Sequence, residues 1–128
     1  METTRIMFGS GNYAVVAIVV LCGNDITVTI GGGTKPHVGA VAVAVPRASL
    51  KQNGELSATA SVLCLLGHKD DMPARAAALR LASKLNTNVL VSVGLHVDEA
   101  TPEEIKMLEK NFKLVLGLIE EWLEKKIF

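Results

Sequence analysis

The chain has 128 residues, 49% of them apolar, with 13 Lys+Arg balanced by 13 Asp+Glu; that length suits a single domain spanning 1–128 with a real core, and two domains would be hard to fit. Zero net charge and the absence of a basic run remove the electrostatic footprint of a nucleic-acid binder or of an anionic-membrane binder. The longest apolar stretch, Tyr13 to Cys22, falls far short of the roughly 20 residues of a spanning helix, and METTRIMFGSG lacks a basic-then-apolar export pattern, so the expected setting is cytoplasmic.

In chain order, a weak strand is expected at about 3–8, followed by the β-branched run 13–22 (YAVVAIVVLC). Gly23-Asn24-Asp25 supplies turn chemistry, and ITVTI (26–30) alternates apolar with Thr, so 13–30 reads as a hairpin. Cys22 and Cys64 lie in apolar runs with no Cys or His at metal-ligand spacing, and buried reduced thiols are expected. A glycine-rich bend (31–37) leads to VGAVAVAV (38–45), stopped by Pro46, and the Asn53-Gly54 turn leads to LSATASVLCLL (56–66). These form a second antiparallel pair.

Asp70-Asp71 before MPARAAALRLASKL places carboxylates and Pro73 at the start of a helix over about 71–85, with Asp71 as the expected cap. Asn86 and Asn88 end it, and NVLVSVGL (88–95) is a further strand. Thr101-Pro102-Glu103-Glu104 has the capping-box pattern, opening a long helix over about 102–125. Its stripe of Ile105, Leu108, Phe112, Val115, Ile119 and Trp122 recurs at spacings of 3 and 4 and reads as a core-facing amphipathic surface. The fold class is α+β, a mainly antiparallel sheet of five to six strands with two helices. Strands 13–22 and 38–45 are apolar on both faces and call for cover on both sides. Either both helices pack on one face and a second copy covers part of the other, or the helices divide between the faces; a homodimer is the expected outcome.

The three histidines carry the functional signal. His37 precedes strand 38–45 and His68 follows its antiparallel neighbour, so both fall at one end of the sheet. The helix 71–85 returns the chain, so strand 88–95 runs parallel to 56–66 and delivers His96 and Asp98 to the same end. That rim also collects Lys35, Lys69, Arg75 and both helix N-termini, a setting for an anionic ligand such as a phosphate. Gly31-Gly32-Gly33 matches no nucleotide-binding fingerprint and reads first as a hairpin loop. The histidines and Asp98 have donor atoms for zinc or iron, but no compact metal spacing is present and no metal is expected. His68-Lys69-Asp70-Asp71 has the groups for acid–base work, with a helix cap as the simpler role. Arg47 lies at the opposite end, in the PRASLKQNGE connection, suited to binding backbone or a partner. Ser57, Thr59 and Ser61 share one sheet face.

The segments GGGTKPHVGAVAVAVPRASL (31–50), SATASVLCLLGHKDDMPAR (57–75) and VGLHVDEATPEEIKMLEKN (93–111) resemble the small LpdD-type proteins, the accessory D subunit associated with gallate-type decarboxylases of the UbiD-like group. The resemblance implies a dimeric protein similar in fold to proteasome assembly chaperones. It implies a carrier that binds reduced prenylated FMN and delivers it to an apo decarboxylase, with no catalytic residues of its own. By the same resemblance the candidate cofactor-binding positions are His37, Arg47, His68, Lys69, Asp70, Asp71, Arg75, His96 and Asp98, to which the rim adds Lys35 as a possible phosphate partner. A protein-assembly chaperone with structural histidines, and a small metal-dependent enzyme, are the alternatives.

Overall fold

The computed structural model describes residues 1–51, 54–65 and 70–127. Its strands are β1 (Glu2–Phe8), β2 (Val15–Cys22), β3 (Asp25–Gly33), β4 (Ala40–Ala48), β5 (Leu56–Cys64) and β6 (Val89–His96), and its helices are α1 (Asp71–Leu85) and α2 (Pro102–Ile127). They form one six-stranded sheet in the order β1-β2-β3-β6-β4-β5. Every pairing is antiparallel except β3 with β6. The expected β2–β3 hairpin and β4–β5 pair are both present, and the weak N-terminal segment is a full strand paired along β2. The Gly31-Gly32-Gly33 run is the end of β3 and not a bend.

The position of β6 governs everything downstream. It enters between β3 and β4, pairing Val28 with Val91 on one side and Ala42 with Val91 on the other. A strand flanked by neighbours and buried over most of its length needs the near-continuous apolar run seen in Val89, Val91 and Val93. It runs in the same direction as β5, as the chain reversal through α1 requires, with β4 between them.

Register places Val15, Ala17 and Val19 of β2, Ile26, Val28 and Ile30 of β3, Val89, Val91 and Val93 of β6, and Ala40, Ala42 and Ala44 of β4 on one face, all fully buried. Both helices pack there, α1 over β4, β5 and β6 and α2 over β1 and β2. The short side chains of Ala74, Ala77, Ala78 and Ala82 let α1 lie close to the sheet, whereas α2 fills its wider gap with Leu108, Phe112, Val115, Leu116, Ile119 and Leu123. The capping box of α2 is formed: Thr101 N–H donates to Glu104 Oε1 at 3.1 Å and Glu104 N–H to Thr101 Oγ1 at 3.2 Å. No described helix is long and apolar enough to cross a membrane.

No described helix lies over the opposite face. By register it carries Val16, Ile18 and Val20 of β2, Val41, Val43 and Val45 of β4, and Leu63 of β5, which is 70% exposed. Ser92 sits near its middle, paired with Thr29 and Val41, and its Oγ is buried without a hydrogen-bond partner among the described residues. The cysteines depart from expectation: both are exposed. Cys22 closes β2 at a turn and Cys64 closes the edge strand β5, so neither reaches the interior despite an apolar sequence context.

Candidate functional site

Because β6 lies between β3 and β4, the connection 34–39 must pass over the end of β6. It does so through backbone hydrogen bonds: Thr34 N–H donates to His96 O at 2.7 Å, His37 N–H to Gly94 O at 3.4 Å, and Gly39 N–H to Val93 O at 3.0 Å. Thr34 Oγ1 also accepts from Asp98 N–H at 3.1 Å, holding the exit of β6 against the crossing loop. The approach is so close that a Cβ at Gly94 would overlap the His37 carbonyl, and one at Gly39 would overlap the Asp70 carboxylate.

This crossing brings the imidazoles of His37 and His96 together, with ring centroids 6.4 Å apart and planes at 77°. His37 Nδ1–H donates to Lys35 O at 2.9 Å, and its Nε2 lies 3.2 Å from Asp70 Oδ2. Both ring nitrogens thus face acceptor oxygens. Asp70 is buried, and its other oxygen accepts from Leu95 N–H at 3.1 Å. One carboxylate therefore ties the start of α1 to the end of β6 and to the crossing loop. Asp70 occupies the N-cap position of α1 but makes no capping bond with its side chain, because both oxygens are committed elsewhere. The cap expected at Asp71 is corrected to the extent that Asp71 is the first residue of the helix itself.

His96 Nε2 lies 3.0 Å from Asp98 Oδ1, and Lys35 Nζ lies 3.3 Å from the same oxygen. The hydrogen bond from His96, then that from Lys35, holds the Asp98 carboxyl below the ordinary aspartate range. Lys35, His37, Asp70, His96 and Asp98 are thus assembled at one rim. Arg47 lies at the far end of β4, its Nε donating to Thr59 Oγ1 at 2.9 Å and its Nη1 to Ala48 O at 3.0 Å. Arg75 is exposed on α1. His68 and Lys69 lie outside the described residues, as does the side chain of Asp71.

Below the rim opens a cavity of about 480 Å³, reached by His37, Asp70, His96 and Glu109. Its apolar walls are Pro73 of α1, Leu95 and Val97 from the exit of β6, Ala100, and Ile105 and Leu108 from the first turns of α2. Val38, at the start of the run 38–45, is 51% exposed and takes no part in these walls. Sequence reasoning placed both helix N-termini at this rim but overlooked Ile105, Leu108 and Glu109. The signal was available: Ile105 and Leu108 belong to the α2 stripe, and the capping box puts them in its first two turns, beside His96. Size and lining are those of a small-molecule site, with apolar walls and few polar groups to fix orientation. Among the described residues, no three His, Cys, Asp or Glu side chains are grouped to hold a metal ion.

A model of the prenylated flavin chaperone LpdD-like domain matches residues 9–124. The chain belongs to that family. The matched span takes in every residue of the rim and of the cavity below it, and omits β1. A comparison with curated proteins finds no match. Among solved structures, this LpdD-like chain is similar to one in the crystal structure of a novel chaperone complex for yeast 20S proteasome assembly, with a TM-score of 0.61 and 18% identity over 99% of this chain and 98% of that one. At that identity the likeness establishes the fold: an α+β sheet with two helices, shared between LpdD-like domains and a proteasome assembly chaperone.

Proposed function

We propose that this protein is a carrier for reduced prenylated FMN, taking the flavin ring into the cavity under the His37–His96 rim and passing it to a UbiD-like decarboxylase. The observation that carries the reading is the cavity itself, which lies wholly within the segment matched by the prenylated flavin chaperone family. Its apolar walls suit a planar prenylated ring, and His96 and Glu109 offer polar groups to the ring's polar edge while His37 and Asp70 brace the rim. A carrier must also release. A wall with no Phe, Tyr or Trp among its described residues, open on one side to a crossing loop, favours binding that a tighter decarboxylase site can overcome. In this reading the chain binds and hands on its cargo, and no bond is made or broken by it.

Lys35, His37, Asp70, His96 and Asp98 are the residues of the rim to which we assign roles, the aspartates positioning the imidazoles. The uncovered sheet face, with Val43, Val45 and Leu63 exposed, is where we place a second copy of the chain. Val43→Lys should then convert a dimer to a monomer in sedimentation equilibrium, and a wild type that sediments as a monomer removes this part of the reading.

The flavin assignment is tested by anaerobic titration with reduced prenylated FMN, followed by ultraviolet–visible spectroscopy, with ordinary FMN as the control. Saturable binding of the prenylated form in preference to FMN is expected. Failure to bind either would sink the carrier reading, and equal binding of both would reduce it to general flavin affinity.

A further inference from the structure

Between α1 and α2 lies a second cavity of about 510 Å³, lined by Arg80, Lys106, Glu109, Lys110, Lys113 and Leu114. Glu109 lines this cleft and the apolar cavity alike, so the two adjoin. From Pro73, in the apolar wall, to Arg80 the distance along α1 is about 10 Å at ~1.5 Å per residue, within the reach of a ribityl chain.

The cleft gathers four cations around one carboxylate, Glu109. Lys106 and Lys110 are one turn apart on α2, a like-charge pair that costs a few tenths of a kcal/mol. None of Lys106, Lys110 and Lys113 is in an ion pair among the described residues, whereas Lys84, further along α1, is met by Glu120 and Glu124. Arg80 is held by the buried Glu120, its Nε donating to Oε2 at 3.1 Å and its Nη2 to Oε1. That pairing fixes the guanidinium at the cleft while using two of its five donors. At the rim the opposite holds: Lys35 is already matched by Asp98, so an anion there would have to displace a carboxylate.

We propose that the α1–α2 cleft is a phosphomonoester subsite, receiving the phosphate of a ligand whose ring occupies the adjoining apolar cavity. This rests on the flavin reading for the identity of the ligand, but the chemistry it names is the phosphate. A dianion placed among three ammonium groups that are outside any ion pair among the described residues and a fixed guanidinium, with Glu109 the one opposing carboxylate, gains charge-assisted hydrogen bonds that the rim cannot supply without breaking its own.

The test compares reduced prenylated FMN with the same compound stripped of its phosphate by a phosphatase. Wild type should prefer the phosphorylated form by about tenfold or more, and the triple variant Lys106→Gln, Lys110→Gln, Lys113→Gln should hold the two within about twofold of each other. Lys125→Gln, on the same helix outside the cleft, should keep the wild-type preference, which controls for net charge. A triple variant that is folded by circular dichroism and retains the full preference overturns the proposal. If wild type binds neither flavin, the carrier reading has failed on its own. Phenyl phosphate then decides the cleft: amide shifts at 106–113 that vanish in the triple variant support it, and no shifts there overturn it.

Discussion

At one end of the sheet β2 turns directly into β3 through Gly23 and Asn24, and α1 passes the chain to β6 through Asn86, Thr87 and Asn88. At the other end, residues 34–39 have to climb over the tip of β6 to connect β3 with β4. The first end is made of short turns joined by few bonds, Thr87 Oγ1 donating to Asn24 O and Ile26 N–H to Asn88 O. The second is a forced crossing in which loop, strand end and helix start must share hydrogen-bond partners, and only there do two imidazoles, two carboxylates and a lysine come together. A polar site arises here because topology requires distant segments to meet, not because any one segment is a motif.

The same substitution at the two ends should therefore have unequal effects. Gly94→Ala drives a methyl group into the His37 carbonyl and should cost about 3 kcal/mol or more in urea unfolding. Gly23→Ala meets open space and loses only the ease of its left-handed φ of 65°, for about 1 kcal/mol. Equal losses would break the comparison. Asp70→Ala removes the acceptor for Leu95 N–H and the partner of His37 Nε2, and about 2–3 kcal/mol should be lost by the same measurement. Thr101→Ala takes away one half of the α2 capping box beside the cavity, with an expected loss of about 1 kcal/mol. The smallest effect is electrostatic. Since the Asp98 carboxyl is held low by His96 and Lys35, its contribution is present at neutral pH and fades as the pH falls through its depressed folded value. Carbon-13 NMR titration should show it rising toward the ordinary aspartate range in His96→Ala, and by less in Lys35→Ala.

The shared rim was legible in the sequence because strand direction follows from turns and helix reversals: His37 must start an outgoing strand and His96 must end a returning one. The insertion of β6 between β3 and β4 was not legible, since β-branched runs such as 89–93 state that a strand is buried but not which neighbours bury it. For that reason nothing in the sequence marks the close approaches at Gly94 and Gly39, and Asp70 read as part of a cap rather than as the brace of the crossing. Ile105 and Leu108 were hidden differently. Their helical stripe was plain, but a stripe reads as core unless one knows that its first turns overhang a cavity. The exposed cysteines show the converse error, in which apolar neighbours in sequence stood in for burial at positions where strands end.

The central claim is that the cavity under the rim holds the flavin ring, and the most direct test is to fill it. Anaerobic titration of Ala100→Trp beside wild type, both folded by circular dichroism, should show at least about a tenfold loss of affinity for reduced prenylated FMN as the indole occupies the space between Leu95 and Ile105. Wild-type affinity retained in Ala100→Trp would contradict the account, because the ligand would then be bound elsewhere on the molecule.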